Sequence, residues 1–104
     1  MAKKKNNYPV RVVVVDVLKP HKPNIVEFGK VICKEKSVNN ANITVYAIDE
    51  KTESLKVILE GKDIDFAEVR KAIEKHGAVV HSIDKVVIGK KGIIETPHAD
   101  IERE

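Results

Sequence analysis

The chain has 104 residues, of which 42% are hydrophobic, and a formal net charge of +3. This length allows one domain with one modest core, and the apolar fraction is too high for a disordered chain. No apolar run approaches the roughly 20 residues that a membrane span needs, and the start does not lead into a signal-peptide core, so we expect a cytoplasmic protein. The single cysteine, Cys33, excludes an intramolecular disulfide and a cysteine-rich metal site, and we expect it to be a small buried side chain in a helix.

Much of the positive charge lies at the N-terminus, in Lys3, Lys4 and Lys5. We expect residues 1–8 to form a flexible basic arm, and the body without it is close to neutral, so the charge is weak evidence for nucleic-acid binding. Charged residues make up 34% of the chain, and glutamine and tryptophan are absent. This bias favours a thermophilic source, where surface ion pairs are dense and labile amides are avoided.

The first half of the chain predicts a strand, a helix and a second strand. Residues 10–18 form a valine-rich run that is apolar on both faces, which is typical of a central strand. After a proline-stiffened loop, Asn24 is a good N-cap, and Glu27 three residues later completes a capping-box pattern. The helix fades near Glu35, and residues 42–48 predict the second strand.

The second half repeats this design. A polar loop of hairpin length leads to residues 54–60, which predict the third strand. Asp65 and Glu68 form a second capping box, and Gly77 is the expected residue just beyond the helix C-terminus. Residues 78–88 predict the fourth strand.

The element order β-α-β-β-α-β predicts an α+β, ferredoxin-like sandwich: a four-stranded antiparallel sheet with two helices on one face. Within it we expect the first and third strands to lie side by side at the centre, and to run parallel. The expected domain covers residues 9–90, after the arm of residues 1–8 and before a polar tail at residues 91–104.

Several motifs resemble an archaeal family of uncharacterised proteins, the domain of unknown function 211 family. They are Asp16-Val17-Leu18-Lys19-Pro20-His21-x-Pro23, Asn42-Ile43-Thr44-Val45, Ile48-Asp49-x-x-Thr52-Glu53 and His81-Ser82-Ile83-Asp84-x-Val86-Val87-x-Gly89-Lys90. The resemblance covers roughly residues 10–90 and leaves the tail after Gly92 outside. It implies a ferredoxin-like fold and assembly into oligomers, and it implies no established activity.

Because helices cover one face of such a sheet, we call the opposite face the open face. Side chains alternate along a strand, and Asp16 should not lie unpaired under the helices, so the strands can be sorted. The expected core side chains are Val13, Val15, Val17, Ile43, Val45, Ala47, Leu55, Val57 and Leu59. The expected open-face side chains are Val12, Val14, Asp16, Leu18, Thr44, Tyr46, Ile48, Lys56, Ile58, Glu60, Val80, Ser82, Asp84 and Val86.

The open-face set is too apolar for a comfortable monomer, so we expect another copy of the chain to cover it. The alternative is that the C-terminal tail, with Ile93, Ile94 and Ile101, folds back over it.

The carboxylates of Asp16, Glu60 and Asp84 are expected to share a region of the open face. Clustered carboxylates can hold Ca²⁺ or Mg²⁺ through hard oxygen ligands. They can equally form ion pairs with Lys56 or with a lysine from another subunit. We otherwise expect no cofactor, and a divalent cation such as Ca²⁺ or Mg²⁺ is the one that these carboxylates could hold.

A second candidate site joins His21 and His81, with Asn42 and Ser82 as neighbours. We expect the loop after the first strand, the start of the second strand and the start of the fourth strand to meet at one end of the sheet. Such a group could bind a small anion or a transition metal. The alternation directs His81 toward the helices, however, and the alternative is a structural His81 bonded to backbone and a surface His21.

The sequence contains no P-loop, no GxGxxG motif and no serine or cysteine nucleophile with a plausibly spaced histidine. Its central strands also lack the aromatic residues of an RNA-recognition motif. We therefore expect no catalysis, and an enzyme using His21, Asp16 or His81 is the weakest hypothesis. The leading hypothesis is an oligomeric regulatory or sensing module that binds a small molecule or ion at subunit contacts. The alternative is a nucleic-acid-associated protein that uses the basic arm together with Lys90 and Lys91.

Overall fold

Six elements follow one another in the predicted order. The computed structural model describes residues 8–90. The elements are β1 (Val10–Pro20), α1 (Ile25–Cys33), β2 (Asn40–Ile48), β3 (Thr52–Glu60), α2 (Phe66–Lys75) and β4 (Val79–Ile88). Predictions for the basic arm, the polar tail and Lys91, including the nucleic-acid alternative that depends on them, lie outside the described residues. No helix within residues 8–90 is long and apolar enough to cross a membrane.

The strands form one sheet in the order β2-β3-β1-β4, and every neighbouring pair is antiparallel. The α+β, ferredoxin-like fold is confirmed. The expectation that the first and third strands run parallel is wrong. Each helical crossover makes the next strand parallel to the preceding one but leaves a gap between them. Strand β3 returns from the β2 hairpin into the gap beside β1, so it runs antiparallel to β1.

Both helices begin at the predicted caps. The Asn24 side chain accepts a hydrogen bond from the Glu27 backbone N–H at 2.9 Å, and Asp65 does the same for Glu68 at 3.3 Å. Helix α2 ends before Gly77, whose φ of 84° is the left-handed conformation that glycine adopts without strain. Cys33 closes α1 on an exposed face, so the expectation that it is buried is wrong. Cys33 lies on a different side of α1 from Phe28 and Ile32, which pack on the sheet.

The core lies between the sheet and the helices. The fully buried apolar side chains come from the predicted faces of β1 and β3 and from one stripe of each helix. They are Val15, Val57, Leu55, Leu59, Phe28, Ile32, Val69 and Ile73. Val13 and Val17 are nearly as buried, and Ile43 and Val45 pack against this cluster from β2. The sorting of β1 and β3 is confirmed.

The edge strand β4 departs from simple alternation. Its register with β1 shifts at His81 and again at Asp84, so each is an extra residue in the ladder. Val80 is opposite Val17 and is buried in the core, so its expected place on the open face is wrong. Val86 is opposite Val13, and because directly paired residues share a face, it too lies on the helix side.

The other edge strand, β2, has a similar irregularity at Tyr46. Its register with β3 shifts between Val45 and Ala47. Ala47 is therefore opposite Ser54 and is exposed, so its expected place in the core is wrong. Ile48 is opposite Glu53, a partner of Lys19 on the core side, and its expected place on the open face is also wrong.

Replacing Leu55 by alanine tests the assigned core. Leu55 is fully buried, so Leu55→Ala should lower the free energy of unfolding by about 2–5 kcal/mol through lost transfer energy and an unfilled cavity. Denaturant unfolding measures this loss. Val26→Ala is the control, because Val26 is 60% exposed on α1 and should change stability by about 0.5 kcal/mol or less. Equal losses for the two variants would contradict the assignment.

Candidate functional site on the open face

A cleft of about 190 Å³ opens on the open face, toward the end of the sheet where β1 finishes. Its lining residues are Asp16, Val17, Leu18, Tyr46, Ser54 and His81. Side chains of all four strands therefore meet here. We call this feature the open-face cleft.

The strand register explains how these residues come together. Leu18 of β1 lies directly opposite Ser54 of β3, which places both side chains on one face. His81 is the extra residue of the first β4 bulge, and Tyr46 is the extra residue of the β2 irregularity. The two edge strands thus supply His81 and Tyr46 to the open-face cleft at positions where their side-chain alternation is interrupted. His81 lies in the open-face cleft, so the expectation that it points toward the helices is wrong.

The open-face cleft combines apolar and hydrogen-bonding groups. Leu18 is 40% exposed and Tyr46 is 57% exposed, so both present apolar surface to a ligand. Ser54 supplies a hydroxyl, His81 an imidazole and Asp16 a carboxylate. A small number of convergent polar groups beside exposed apolar surface is typical of sites that bind small molecules.

Beside the open-face cleft, Lys56 lies between two carboxylates. Its Nζ is 2.9 Å from Asp16 Oδ1 and 2.7 Å from Asp84 Oδ2. The Ser82 hydroxyl donates to Asp84 Oδ1 at 2.9 Å and lies 3.5 Å from Asp16 Oδ2. We call these four residues the Lys56 cluster.

Charge complementarity controls the protonation of the Lys56 cluster. The hydrogen bond from Lys56, followed by that from Ser82, lowers the pKa of the Asp84 carboxyl. Asp84 and then Asp16 raise the pKa of the Lys56 ammonium well above its ordinary value. Asp16 Oδ1 is buried and lacks a hydrogen bond of good angle, so attraction to the nearby ammonium is what offsets its desolvation.

The three carboxylates expected to hold a cation are not brought together. Glu60 lies opposite Val12, toward the other end of β3, and accepts a hydrogen bond from Asn40 at 3.2 Å. The Lys56 ammonium takes the space between Asp16 and Asp84. In the part of the chain that the structure describes, no three or more histidine, cysteine, aspartate or glutamate side chains form a group that could hold a metal ion.

The four expected ligand-binding residues do not form one site. His21 contacts Glu53 and the Glu50 carbonyl in the β2–β3 turn. His81 lies in the open-face cleft, and Ser82 lies next to it in the Lys56 cluster. Asn42 is opposite Ile58, which in turn pairs with Val14 near the middle of β1, so Asn42 lies well before the end of the sheet where His21 follows β1.

Lys19 is the residue that sequence reasoning missed most clearly. Its side chain is fully buried, its Nζ donates to the backbone carbonyls of Pro20 and Pro23, and it lies 3.0 Å from Glu53 Oε1. The side-chain alternation of β1 does indicate that Lys19 is buried, because Lys19 lies two residues after Val17 and therefore on the same, core-facing side. The predicted strand stopped one residue too early to include it.

Grooves of about 420 Å³ and 400 Å³ also lie on the outer surface of the helices. They are lined by intermixed lysine and glutamate side chains, and Lys71 lies 3.4 Å from Glu68 within one of them. Exposed pairs of this kind are solvated and weakly interacting. The open-face cleft is therefore the better candidate site.

Comparison with known proteins gives one family. The model of the DUF211 family, described as "Uncharacterized ArCR", matches residues 11–103. The chain belongs to this family. An archaeal relative, the "Uncharacterized protein MJ0319" of Methanocaldococcus jannaschii, is 45% identical over 86 residues, which cover 83% of this chain and 89% of the relative. The family resemblance is confirmed, and the match continues past Gly92, where it was expected to end.

Removing the ammonium of Lys56 tests the Lys56 cluster. Because the Asp84 pKa is lowered in the folded chain, its ion pair stabilises the fold above the ordinary carboxylate pKa of about 3.9, and this contribution is lost as the pH falls through the lowered value. Lys56→Met should therefore raise the pKa of Asp84, as measured by NMR titration of the carboxyl carbon. Lys62→Met, at an exposed lysine after β3, is the control and should leave this pKa unchanged. An unchanged Asp84 titration in Lys56→Met would contradict the assignment.

Proposed function

We propose that this DUF211 protein is an oligomeric, non-catalytic module of the cytoplasm that binds a small molecule in the open-face cleft, in a regulatory or sensing role. The observation that carries the proposal is the convergence of Tyr46, Ser54 and His81 beside Leu18 on a sheet face that neither helix of residues 8–90 covers.

The lining favours a small polar organic molecule over a bare ion. Asp16 is the one carboxylate of the lining, and its charge is shared with Lys56 at 2.9 Å, so a divalent cation would meet an ammonium nearby. A molecule with hydrogen-bonding groups for Ser54, His81 and Asp16 and a flat or apolar part against Tyr46 fits the lining better. A volume of about 190 Å³ suits a ligand of amino-acid size.

Binding without catalysis is the simpler use of this lining. A serine nucleophile needs a base within hydrogen-bond reach. In residues 8–90, no hydrogen bond joins Ser54 to His81, and the Ser82 hydroxyl is directed to the carboxylates of the Lys56 cluster. The polar groups of the open-face cleft are thus arranged to receive a ligand.

Apolar surface around the open-face cleft supports assembly. Val79 is opposite Leu18 and is 54% exposed, so these two side chains and Tyr46 form an apolar rim. Further along the same face, Val12, Val14, Ile58 and Val87 are only partly buried. Contiguous apolar surface of this kind marks interaction sites in soluble proteins. A second copy on this face would enclose the open-face cleft and place the ligand at a subunit contact.

A thermal-shift screen of amino acids, nucleotides and divalent metal salts tests the proposal. A compound present at about 100 times its Kd stabilises the fold by about 2.7 kcal/mol, and each kcal/mol raises Tm by about 4–8 °C in a domain of this size. We expect a small organic compound, and not a metal salt, to raise Tm. Tyr46→Ala should abolish the shift, because it removes one wall of the open-face cleft.

Thr44→Ala is the matched control, since Thr44 is exposed on the same strand but does not line the open-face cleft. It should keep the full shift. A shift of equal size in Tyr46→Ala, or the absence of any stabilising organic compound, would count against the proposal.

A further inference from the structure

His21 joins two segments that are far apart in sequence. It lies in the loop after β1, and its ring contacts the turn between β2 and β3. Nδ1 is 3.0 Å from Glu53 Oε2, and Nε2 is 3.0 Å from the Glu50 backbone carbonyl oxygen. The imidazole thus spans from a side chain of β3 to the backbone of the turn.

Both partners of this ring are hydrogen-bond acceptors. An ionised carboxylate and a backbone carbonyl have no proton to give, so each hydrogen bond requires an N–H on the histidine side. A neutral imidazole carries one N–H, whereas the imidazolium carries two. The observed pair of contacts therefore needs the protonated ring, and in the neutral ring one of the nitrogens would present a lone pair to an oxygen.

We propose that His21 is a pH-sensitive latch, which holds the β2–β3 turn against the loop after β1 when the ring is protonated and releases the turn when the ring is neutral. The ring is 42% exposed and exchanges protons directly with solvent. The latch goes beyond the proposed ligand binding and does not depend on it.

Lys19 fixes the other side of the latch. Its buried Nζ holds Glu53 through Oε1 at 3.0 Å, while His21 uses Oε2 of the same carboxylate. It also holds the loop backbone at Pro20 and Pro23. Loss of the proton from His21 therefore leaves Glu53 and the loop in place, and the contact to the Glu50 carbonyl is the one released. The moving part is the tip of the turn at residues 49–51, whose base stays joined to β3 by the hydrogen bond from the Asp49 N–H to the Thr52 carbonyl at 2.7 Å.

The charged surroundings of the ring set the direction of the switch. Glu53 faces the ring from β3, Lys19 lies behind it on β1, and the turn presents the carbonyls of Asp49 and Glu50. The hydrogen bond to Glu53, followed by that to the Glu50 carbonyl, raises the pKa of His21. His21 and then Lys19 lower the pKa of Glu53, so the carboxylate stays ionised while the ring titrates.

These pKa shifts determine how the stabilisation by the latch changes with pH. Because the His21 pKa is raised in the folded chain, the latch stabilises the fold fully below the ordinary histidine pKa of about 6.5. Its contribution is lost as the pH rises through the raised value. Release of the turn is thus expected on the neutral to alkaline side, next to the Leu18–Ser54 pair that borders the open-face cleft.

NMR on the full chain tests the latch. Ring ¹⁵N shifts of His21 and backbone ¹⁵N relaxation of residues 49–51 are recorded from about pH 5 to pH 9, across the range in which histidine titrates. We expect doubly protonated ring nitrogens at low pH and a midpoint above 6.5. Across the same midpoint, order parameters in the turn should fall from about 0.85, typical of rigid backbone, to below about 0.6.

His21→Gln removes the titration, and the turn should then be mobile at every pH. His76→Gln is the matched control, because the His76 ring contacts the Ala72 carbonyl of its own helix and not a group of the turn. It should leave the transition intact. The latch would be overturned by a turn that stays equally ordered across the His21 titration, by a transition that persists in His21→Gln, or by a His21 midpoint at or below 6.5.

Discussion

The central strand β1 is hydrogen-bonded on both sides, to β3 and to β4, and its side chains alternate without interruption from Val13 to Lys19. This alternation divides the molecule. Every second residue packs under the helices, and the residues between them lie on the open face. A slip of one residue would place Asp16 in the core and would move Val13, Val15 and Val17 to the open face. The register of β1 is therefore the constraint on which both faces depend.

Each of the three functional features depends on a different residue of β1. Asp16 brings Lys56 and Asp84 together, and Leu18 lines the open-face cleft beside Ser54. Lys19, one residue further and on the opposite face, fixes the loop and the carboxylate that His21 uses. Along the second half of β1, successive residues thus contribute to the Lys56 cluster, the open-face cleft and the proposed latch. A ligand in the open-face cleft would contact the same strand that anchors the latch.

The interior strands were predictable and the edge strands were not, for a physical reason. β1 and β3 are paired on both sides, so local alternation of Val15 or Leu55 is preserved in the sheet. β2 and β4 have one free edge and tolerate an extra residue, as at Tyr46 and His81, and no local pattern marks where it falls. The helix caps were predictable because they are local. The burial of Lys19 was missed, because a lysine is stable inside the fold only when distant groups such as Glu53 meet it.

The most direct test of this account measures solvent access to the two faces of β1 in the native protein. Methyl NMR with a soluble paramagnetic probe reports Val15 on the core side and Val14 and Leu18 on the open face. If a second copy covers the open face, all three methyl signals should be protected in the native chain. A charged replacement, Leu18→Glu, should expose Val14 while leaving Val15 protected. Strong broadening of Val14 and Leu18 in the native chain, with Val15 protected, would contradict assembly through the open face.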